Sequence, residues 1–393
     1  MRTVFCDLTR RQLDELGLCP DAAVVREDLL AARDCAGCFG CWTRTPGACV
    51  ARDALGDLGS LLSRTDELVV VSKMTFGWLS PLAKRALERS LGYLHPRFAV
   101  TDGELHHRMR YDHTFDLRFV LYGPSTDAER ATAQRLAGRN ALNFGARLAG
   151  VGFPGDVSGI PAERDAPASA PCEPAASGVP ALPRRVALVN ASPRGERSTT
   201  AALLADLEEA LGVYVRVYGD GPAPEVVHVG CPRSGVDGDA LSGCDTVLLG
   251  YPLYVDAPPA GLVDLLERAA GQIAPGTRVY ALANMGFYEP EQIEPSFALL
   301  EQFCRMAGAR WMGGVAVGAG PMVAATARGP RMGWARRAVS EAVDRLIAAM
   351  RSGSAAGFDG VRQGVPRQAY RRAAEKCWRD LARANGVDLD ARP

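Results

Sequence analysis

The sequence predicts an α/β chain: two tandem doubly wound parallel sheets followed by C-terminal helices. Three observations carry that prediction. Apolar runs such as ELVVV (67–71), VALVN (186–190) and TVLLG (246–250) alternate with stretches of helical period. Such alternation marks βαβ units, whose strands are covered on both faces. Second, residues 66–89 lie on residues 245–268 without gaps, so that Leu87-Glu88-Arg89 falls on Leu266-Glu267-Arg268. GARLAGV from Gly145 matches GARWMGGV from Gly308 in the same order. Third, PGDVSGIPAERDAPASAPCEPAASGVPALPRR, from Pro154, carries seven prolines and reads as a semi-rigid linker. The expected organisation is a sheet domain over 1–153, a linker over 154–184, a second sheet domain over 185–322 and a C-terminal helical extension over 323–393.

Composition agrees with that size. A chain of 393 residues accommodates two domains, and 47% hydrophobic residues supports two cores. The formal net charge is zero, which gives no reason to expect nucleic acid or an anionic membrane as the main partner. The opening MRTVFCDLTRRQL has charges inside any apolar run, unlike a secretory signal. No apolar segment approaches the roughly 20 residues of a membrane helix. The expected setting is cytoplasmic. Eleven cysteines, an odd number, argue for metal or redox use over structural bridging.

In the first half, the strand TVFCDL runs into TRRQLDEL with Thr9 as its only hydroxyl. Cys35, Cys38, Cys41 and Cys49 then follow at C-x2-C-x2-C-x7-C spacing. Four thiolates so placed can wrap a [4Fe–4S] cluster. A four-cysteine zinc site is one alternative, and a metal-free loop bordering a pocket is another. Cys6, Cys19, Cys172, Cys231, Cys244, Cys304 and Cys377 lack ligand spacing and read as small hydrophobes. Phe76, Trp78, His107 and Arg110 are expected at a pocket rim. His106 and His107 are neighbours on a strand and so face opposite ways, which argues against joint chelation.

In the second half, VALVNASPRGERSTT (186–200) reads as a strand, a tight polar loop and a first helical turn. Asn190, Ser192, Arg194, Ser198, Thr199 and Thr200 crowd polar groups onto that loop. A helix N-terminus offers free N–H groups and a favourable dipole to a phosphate. Ser198 acting only as an ordinary N-cap is the competing reading. In a doubly wound sheet, ligands bind beyond the carboxyl ends of the strands. Two more loops fall there: Tyr251-Pro252-Leu253-Tyr254-Val255-Asp256, and Asn284-Met285-Gly286-Phe287-Tyr288-Glu289. Pro252, Leu253 and Tyr254 offer an apolar wall to a flat ring, Gly286 permits close backbone approach, and Asn284 offers a polar contact at the ring edge. Beyond 322, WARRAVSEAVDRLIAAM and RQAYRRAAEKCWRDLARA have helical spacing and are separated by a Gly-rich break at 352–364.

Over roughly 185–322 the chain resembles the flavodoxin-like NAD(P)H-dependent FMN reductases. NASPRGERSTT, YPLYVDAPPAGL and NMGFYEPEQ followed by FCRMAGARWMGG carry the resemblance. The first half resembles the same family over roughly 30–152, and its cysteine motif resembles that of iron–sulfur flavoproteins. The resemblance implies two tandem flavodoxin-like doubly wound parallel sheets. It implies FMN, with the phosphate held by Ser192, Arg194, Ser198, Thr199 and Thr200. Pro252, Leu253, Tyr254, Val255, Asn284, Gly286 and Phe287 would line the ring. NAD(P)H would be the co-substrate, with a quinone, nitro or azo compound, free flavin or a protein as acceptor. No catalytic acid or base is implied, since the flavin carries the chemistry. Because the first half lacks the hydroxyl loop, at most one FMN per chain is expected. The family's homodimeric pocket would then become an intramolecular pseudo-dimer, alone or within a homodimer. Two rivals stand beside this: an electron-transfer protein fed by a protein donor without nicotinamide, and a redox-sensing scaffold whose flavin site has decayed.

Overall fold

The computed structural model describes residues 1–162, 182–218 and 221–389. It divides into two compact units, Met1–Pro171 with Gln368–Pro393, and Cys172–Arg367. The first unit contains β1 (Arg2–Cys6), β2 (Ala22–Val24), β3 (Glu67–Thr75), β4 (Trp78–Leu79), β5 (Leu94–Thr101), β6 (Glu104–Met109), β7 (Asp116–Tyr122) and β8 (Arg147–Gly152). Its main sheet runs β2-β1-β3-β7-β8, all parallel, with β4 folded back on β3. β5 and β6 form a separate antiparallel pair. The second unit contains β9 (Arg185–Asn190), β10 (Glu225–Gly230), β11 (Thr246–Pro252), β12 (Arg278–Asn284), β13 (Arg310–Gly318) and β14 (Gly357–Arg362). These run β10-β9-β11-β12-β13-β14, parallel throughout. In both sheets the strand order reverses at the first strand, giving the 2-1-3-4-5 order of flavodoxin-like doubly wound sheets. The α/β class and the two parallel sheets are therefore those that the sequence predicts.

Local chemistry explains the elements. Every residue of β12 is buried, as a strand covered by helices on both faces requires. The ungapped match in the sequence has a structural counterpart. β3 and β11 open at Glu67 and Thr246, and the helices Pro81–Arg89 and Ala260–Ala269 begin the same distance further on. The first of these helices starts on proline, with the Ser80 hydroxyl accepting from Ala83 N. The GAR matches are helix ends. Gly145 (φ 58) and Gly308 (φ 67) are left-handed C-caps, and β8 and β13 begin just after them. In the second unit the core joins Val186, Leu188, Leu248 and Leu282 of the sheet to Leu203 and Leu207 of helix Thr199–Tyr218. Val343, Leu346 and Ile347 of helix Arg337–Ser352 complete it. Truncating any of these leucines to alanine costs about 2–5 kcal/mol.

The C-terminal region departs from expectation. Residues 323–393 do not form one helical extension. Helix Arg337–Ser352 and β14 belong to the second unit, while the chain from Gln368 belongs to the first. The Gly-rich stretch read as a break is the sixth strand of the second sheet. Its closeness to β13 is why glycine is required: a Cβ on Gly313 (φ +82) would lie 2.1 Å from the Gly357 carbonyl oxygen. In the first unit, helix Arg367–Ala384 brings Trp378 edge-on to Phe39 and Trp42, at 5.1 and 5.3 Å. Of the expected linker, residues 163–181 lie outside the described residues. Ile160, within its predicted start, is buried in the core of the first unit.

Candidate functional site

In the second unit, Gly250 is paired with Asn190, Pro252 with Asn284, and Asn284 with Val317. The carboxyl ends of β9, β11, β12 and β13 therefore lie side by side, and the three loops singled out from the sequence share one sheet edge. The first loop turns tightly. Ser192 N donates to Asn190 Oδ1 at 3.2 Å, Arg194 N to Ser192 Oγ at 3.3 Å and Gly195 N to Ser192 O at 2.9 Å. Ser198 Oγ accepts from Ala201 N at 3.0 Å, so Ser198 does cap helix Thr199–Tyr218. Thr200 Oγ1 accepts from Asn284 Nδ2 at 2.8 Å. Ser192, Ser198 and Thr200 thus each serve as acceptors. A hydroxyl used this way keeps its O–H proton as a donor. The donor set suits an anion: three hydroxyl protons, the first-turn N–H groups, and the exposed Arg194 guanidinium. Capping and anion binding are compatible here.

The second loop is strained. Tyr254 N and Ala257 N exchange hydrogen bonds with each other's carbonyls at 3.0 and 3.2 Å across Val255 (φ 47) and Asp256 (φ 57). Two consecutive left-handed residues make the turn type that favours Gly, Asn or Asp. A β-branched Val there is a genuine outlier, of the kind that persists where surrounding contacts over-determine it. Pro252, Leu253, Tyr254 and Val255 are half-buried along this loop. Tyr251 is core, its hydroxyl 2.7 Å from Ser296 Oγ.

Asn284, expected at a ring edge, also has work within the fold. It is buried, and its amide nitrogen ties the first loop to the second through Thr200 Oγ1 and Tyr251 O, at 2.8 and 3.2 Å. It is a strut between loops. Gly286 is exposed and a Cβ on it would meet nothing within 4 Å, so the chain's own packing does not require glycine there. Phe287 is half-buried beside it. A fourth loop, not singled out from the sequence, closes over the third. Ala319 (φ 53) donates to Phe287 O at 2.6 Å, and Gly320 N to Met285 O at 2.8 Å. Its signal was available: Ala319-Gly320-Pro321 directly follows the strand GGVAVG.

The same sheet edge in the first unit is built differently. Asp7, buried just past β1, accepts from Ser80 Oγ at 2.6 Å, Lys73 N at 2.9 Å, Tyr122 Oη at 3.0 Å and Ser72 Oγ at 3.4 Å. Thr9 forms a capping box with Gln12 at the start of helix Arg10–Glu15. Phe76 and Trp78 are not at a rim. Both are buried, and Trp78 packs on Phe119 with ring centroids 4.8 Å apart. His107 packs against Trp42 and Phe98 at 4.5 and 5.4 Å, and Arg110 donates to Gly92 O at 3.0 Å. Burial pushes His107 down to about 3, against the opposing pull of the Pro96 and His95 carbonyls. His106 turns instead to Asn143 Oδ1, at 2.7 Å.

Cys35, Cys38, Cys41 and Cys49 do not assemble as ligands. Among the described residues no group of three or more His, Cys, Asp or Glu is placed to hold a metal ion. Cys38 is exposed, while burial raises the Cys35 and Cys41 thiols, the latter to about 12. Thiols held in the protonated form are poor ligands. The loop as folded therefore does not fit a cluster or a four-cysteine zinc site.

No family model matches the chain, and no curated protein matches it. Solved structures do. The Trp repressor binding protein from Bacillus subtilis is 16% identical, covering 34% of this chain and 84% of that one at a TM-score of 0.25. The azoreductase from Bacillus anthracis is 14% identical, covering 49% and 99% at 0.26. The NAD(P)H:quinone oxidoreductase from Methanothermobacter marburgensis is 13% identical, covering 44% and 96% at 0.27. The fold assignment rests on strand order and register. Among the described residues, no helix is long and apolar enough to cross a membrane.

Proposed function

We propose that the chain is an FMN-dependent NAD(P)H oxidoreductase whose single flavin belongs to the second unit. The observation that carries this reading is the donor set of the first loop. Ser192, Ser198 and Thr200 accept from N–H groups of the fold and retain their hydroxyl protons for an anion at the start of helix Thr199–Tyr218. Arg194 and Thr199 would complete the phosphate contacts. Pro252, Leu253, Tyr254 and Val255 would offer the ring a wall on one side, with Gly286 and Phe287 on another. FMN, when bound, supplies the hydride chemistry. The protein's part is to bind, orient and exclude water, with Asn284 keeping the first two loops in register. The two units are read as diverged copies of one sheet, of which only the second keeps a phosphate loop. The acceptor class is a quinone, nitro or azo compound, free flavin or a redox protein.

The test is an absorption spectrum of the protein purified without oxygen, before and after NADPH. A two-banded flavin spectrum bleached by NADPH supports the reading. A flavin spectrum that NADPH leaves intact replaces it with an electron-transfer protein. A colourless protein that takes up no added FMN overturns both.

A further inference from the structure

The first unit holds a cleft of about 440 Å³, lined by Ala31, Arg33, Val50, Ala51, Arg52 and Asp53. None of these residues belongs to the sheet edge around Asp7. One wall comes from the end of helix Arg26–Ala31, the other from the loop that leads to helix Leu58–Leu62. Arg33 N joins the two walls, donating to Asp53 Oδ2 at 3.1 Å.

Buried arginines set the chemistry of the cleft. Arg89, with 1% of its side chain exposed, donates to Asp53 Oδ1 and Oδ2 at 2.7 and 2.9 Å and to Arg33 O at 2.6 Å. Leu55 N donates to Asp53 Oδ1 at 3.1 Å. Each oxygen of Asp53 thus accepts two hydrogen bonds, so the only acid in the lining is already satisfied. Arg85 does the same behind the first wall, donating to Ala32 O at 3.3 Å and to Asp34 Oδ1 at 2.5 Å.

What remains for a ligand is donors. Arg33 and Arg52 are exposed, and among the described residues neither guanidinium has a hydrogen-bond or ion-pair partner. The backbone N–H groups of Val50, Ala51 and Arg52 likewise have no acceptor among the described residues. Buried Arg89 Nε also lacks one. Three guanidinium groups therefore stand against one carboxylate, and the cleft attracts anions. Sites of this size for organic ligands are lined mainly by apolar and aromatic side chains. This lining has no aromatic residue on which a base or ring could stack, which favours a compact ion of high charge.

We propose that this cleft binds a compact polyphosphate anion, of which pyrophosphate is the smallest. The Arg33 and Arg52 side chains and the backbone N–H groups of Val50, Ala51 and Arg52 hold it. Arg89 occupies Asp53, which would otherwise pair with the two exposed arginines. The site does not depend on a flavin in the second unit.

Calorimetric titration of the full-length chain with sodium pyrophosphate at low salt tests this. Saturable binding is expected, several-fold tighter than that of orthophosphate or AMP, and weakened by high salt. Arg33→Ala combined with Arg52→Ala should weaken it roughly tenfold or more. Alanine at Ser192, Arg194 and Ser198 should leave it in place. The reverse pattern would put the anion at the phosphate loop of the second unit and overturn the proposal. Absence of saturable binding overturns it too, as does AMP binding as tightly as pyrophosphate. The wild-type chain gives a second readout, modification of arginine by phenylglyoxal mapped by mass spectrometry. Pyrophosphate should protect Arg33 and Arg52 and leave Arg147, with 80% of its side chain exposed, as reactive as before. Equal protection of all three, or of none, would sink the site even where a variant fails to fold.

Discussion

The two units part at the residue that follows their first strand. In the second, β9 ends at Asn190, and the next turn spends its hydroxyls as acceptors, leaving donors for an incoming anion. In the first, β1 ends at Cys6 and Asp7 turns inward, collecting Lys73 N, Ser80 Oγ and Tyr122 Oη. The donors of that sheet edge converge on a carboxylate of the chain itself, and a phosphate there would meet like charge at short range. Strand order is the same in both. A doubly wound sheet supplies the switch point, and the side chains after the first strand decide which anion occupies it.

The largest effect that would break this comparison is in the second unit. Ser192, Arg194 and Ser198 changed together to alanine should weaken FMN binding by at least about a thousandfold, since hydrogen bonds to a charged group contribute about 1.5–3 kcal/mol each. Fluorescence titration of the variant with FMN measures it, and unaltered affinity would sink the assignment of this loop. Next comes Asp7→Ala. It strands the Lys73 N–H and the Ser80 hydroxyl in a buried site, so stability should fall by about 1–3 kcal/mol in denaturant titration, with flavin content unchanged. Loss of flavin instead would mean that the first unit's edge contributes to the cofactor.

Acid sharpens the contrast further. His107 is held neutral in the fold, with its pKa depressed to about 3 by burial, whereas the unfolded chain protonates near 6.5. Its stabilising contribution is complete above about 6.5 and is lost as pH falls from there towards 3, by about 1.4 kcal/mol per unit. Denaturation midpoints at pH 7 and pH 5.5 should differ by that amount in the wild type, and His107→Phe should flatten the dependence. The smallest effect concerns the strained turn. Val255→Gly removes a left-handed penalty of about 1–2 kcal/mol but adds chain entropy to the unfolded state. A net gain below about 1 kcal/mol in the second unit is expected from thermal melts. A clear loss of stability would show that the Val255 side chain contributes packing which outweighs the strain.

Much of the fold was legible because parallel strands buried on both faces must be written as apolar runs, as VALVN and TVLLG are. The GAR repeat was legible as a repeat, and the structure gives its reason: Gly145 and Gly308 occupy the left-handed conformation that favours glycine at a helix end. β14 was not, because its GFDGVR sequence has two glycines and no β-branched run, and its strand character comes from lying against β13. Phe76 and Trp78 looked like rim residues because large aromatics serve both surfaces and cores, and burial here depends on packing partners such as Phe119. The four cysteines had ligand spacing. Spacing fixes how far apart ligands lie along the chain but not where their side chains point.

The sequence by itself determined the order of strands and helices, and placed a hydroxyl-rich loop after one first strand and none after the other. Only the tertiary structure decided which polar groups remain available. Asn284 is committed to Thr200, and Asp7 to Lys73, Ser80 and Tyr122, partners far away in the chain. A buried polar group takes whichever partner the sheet brings within hydrogen-bond distance, because leaving it unsatisfied costs more than the bond contributes. That choice is made by strand register, which local sequence does not contain.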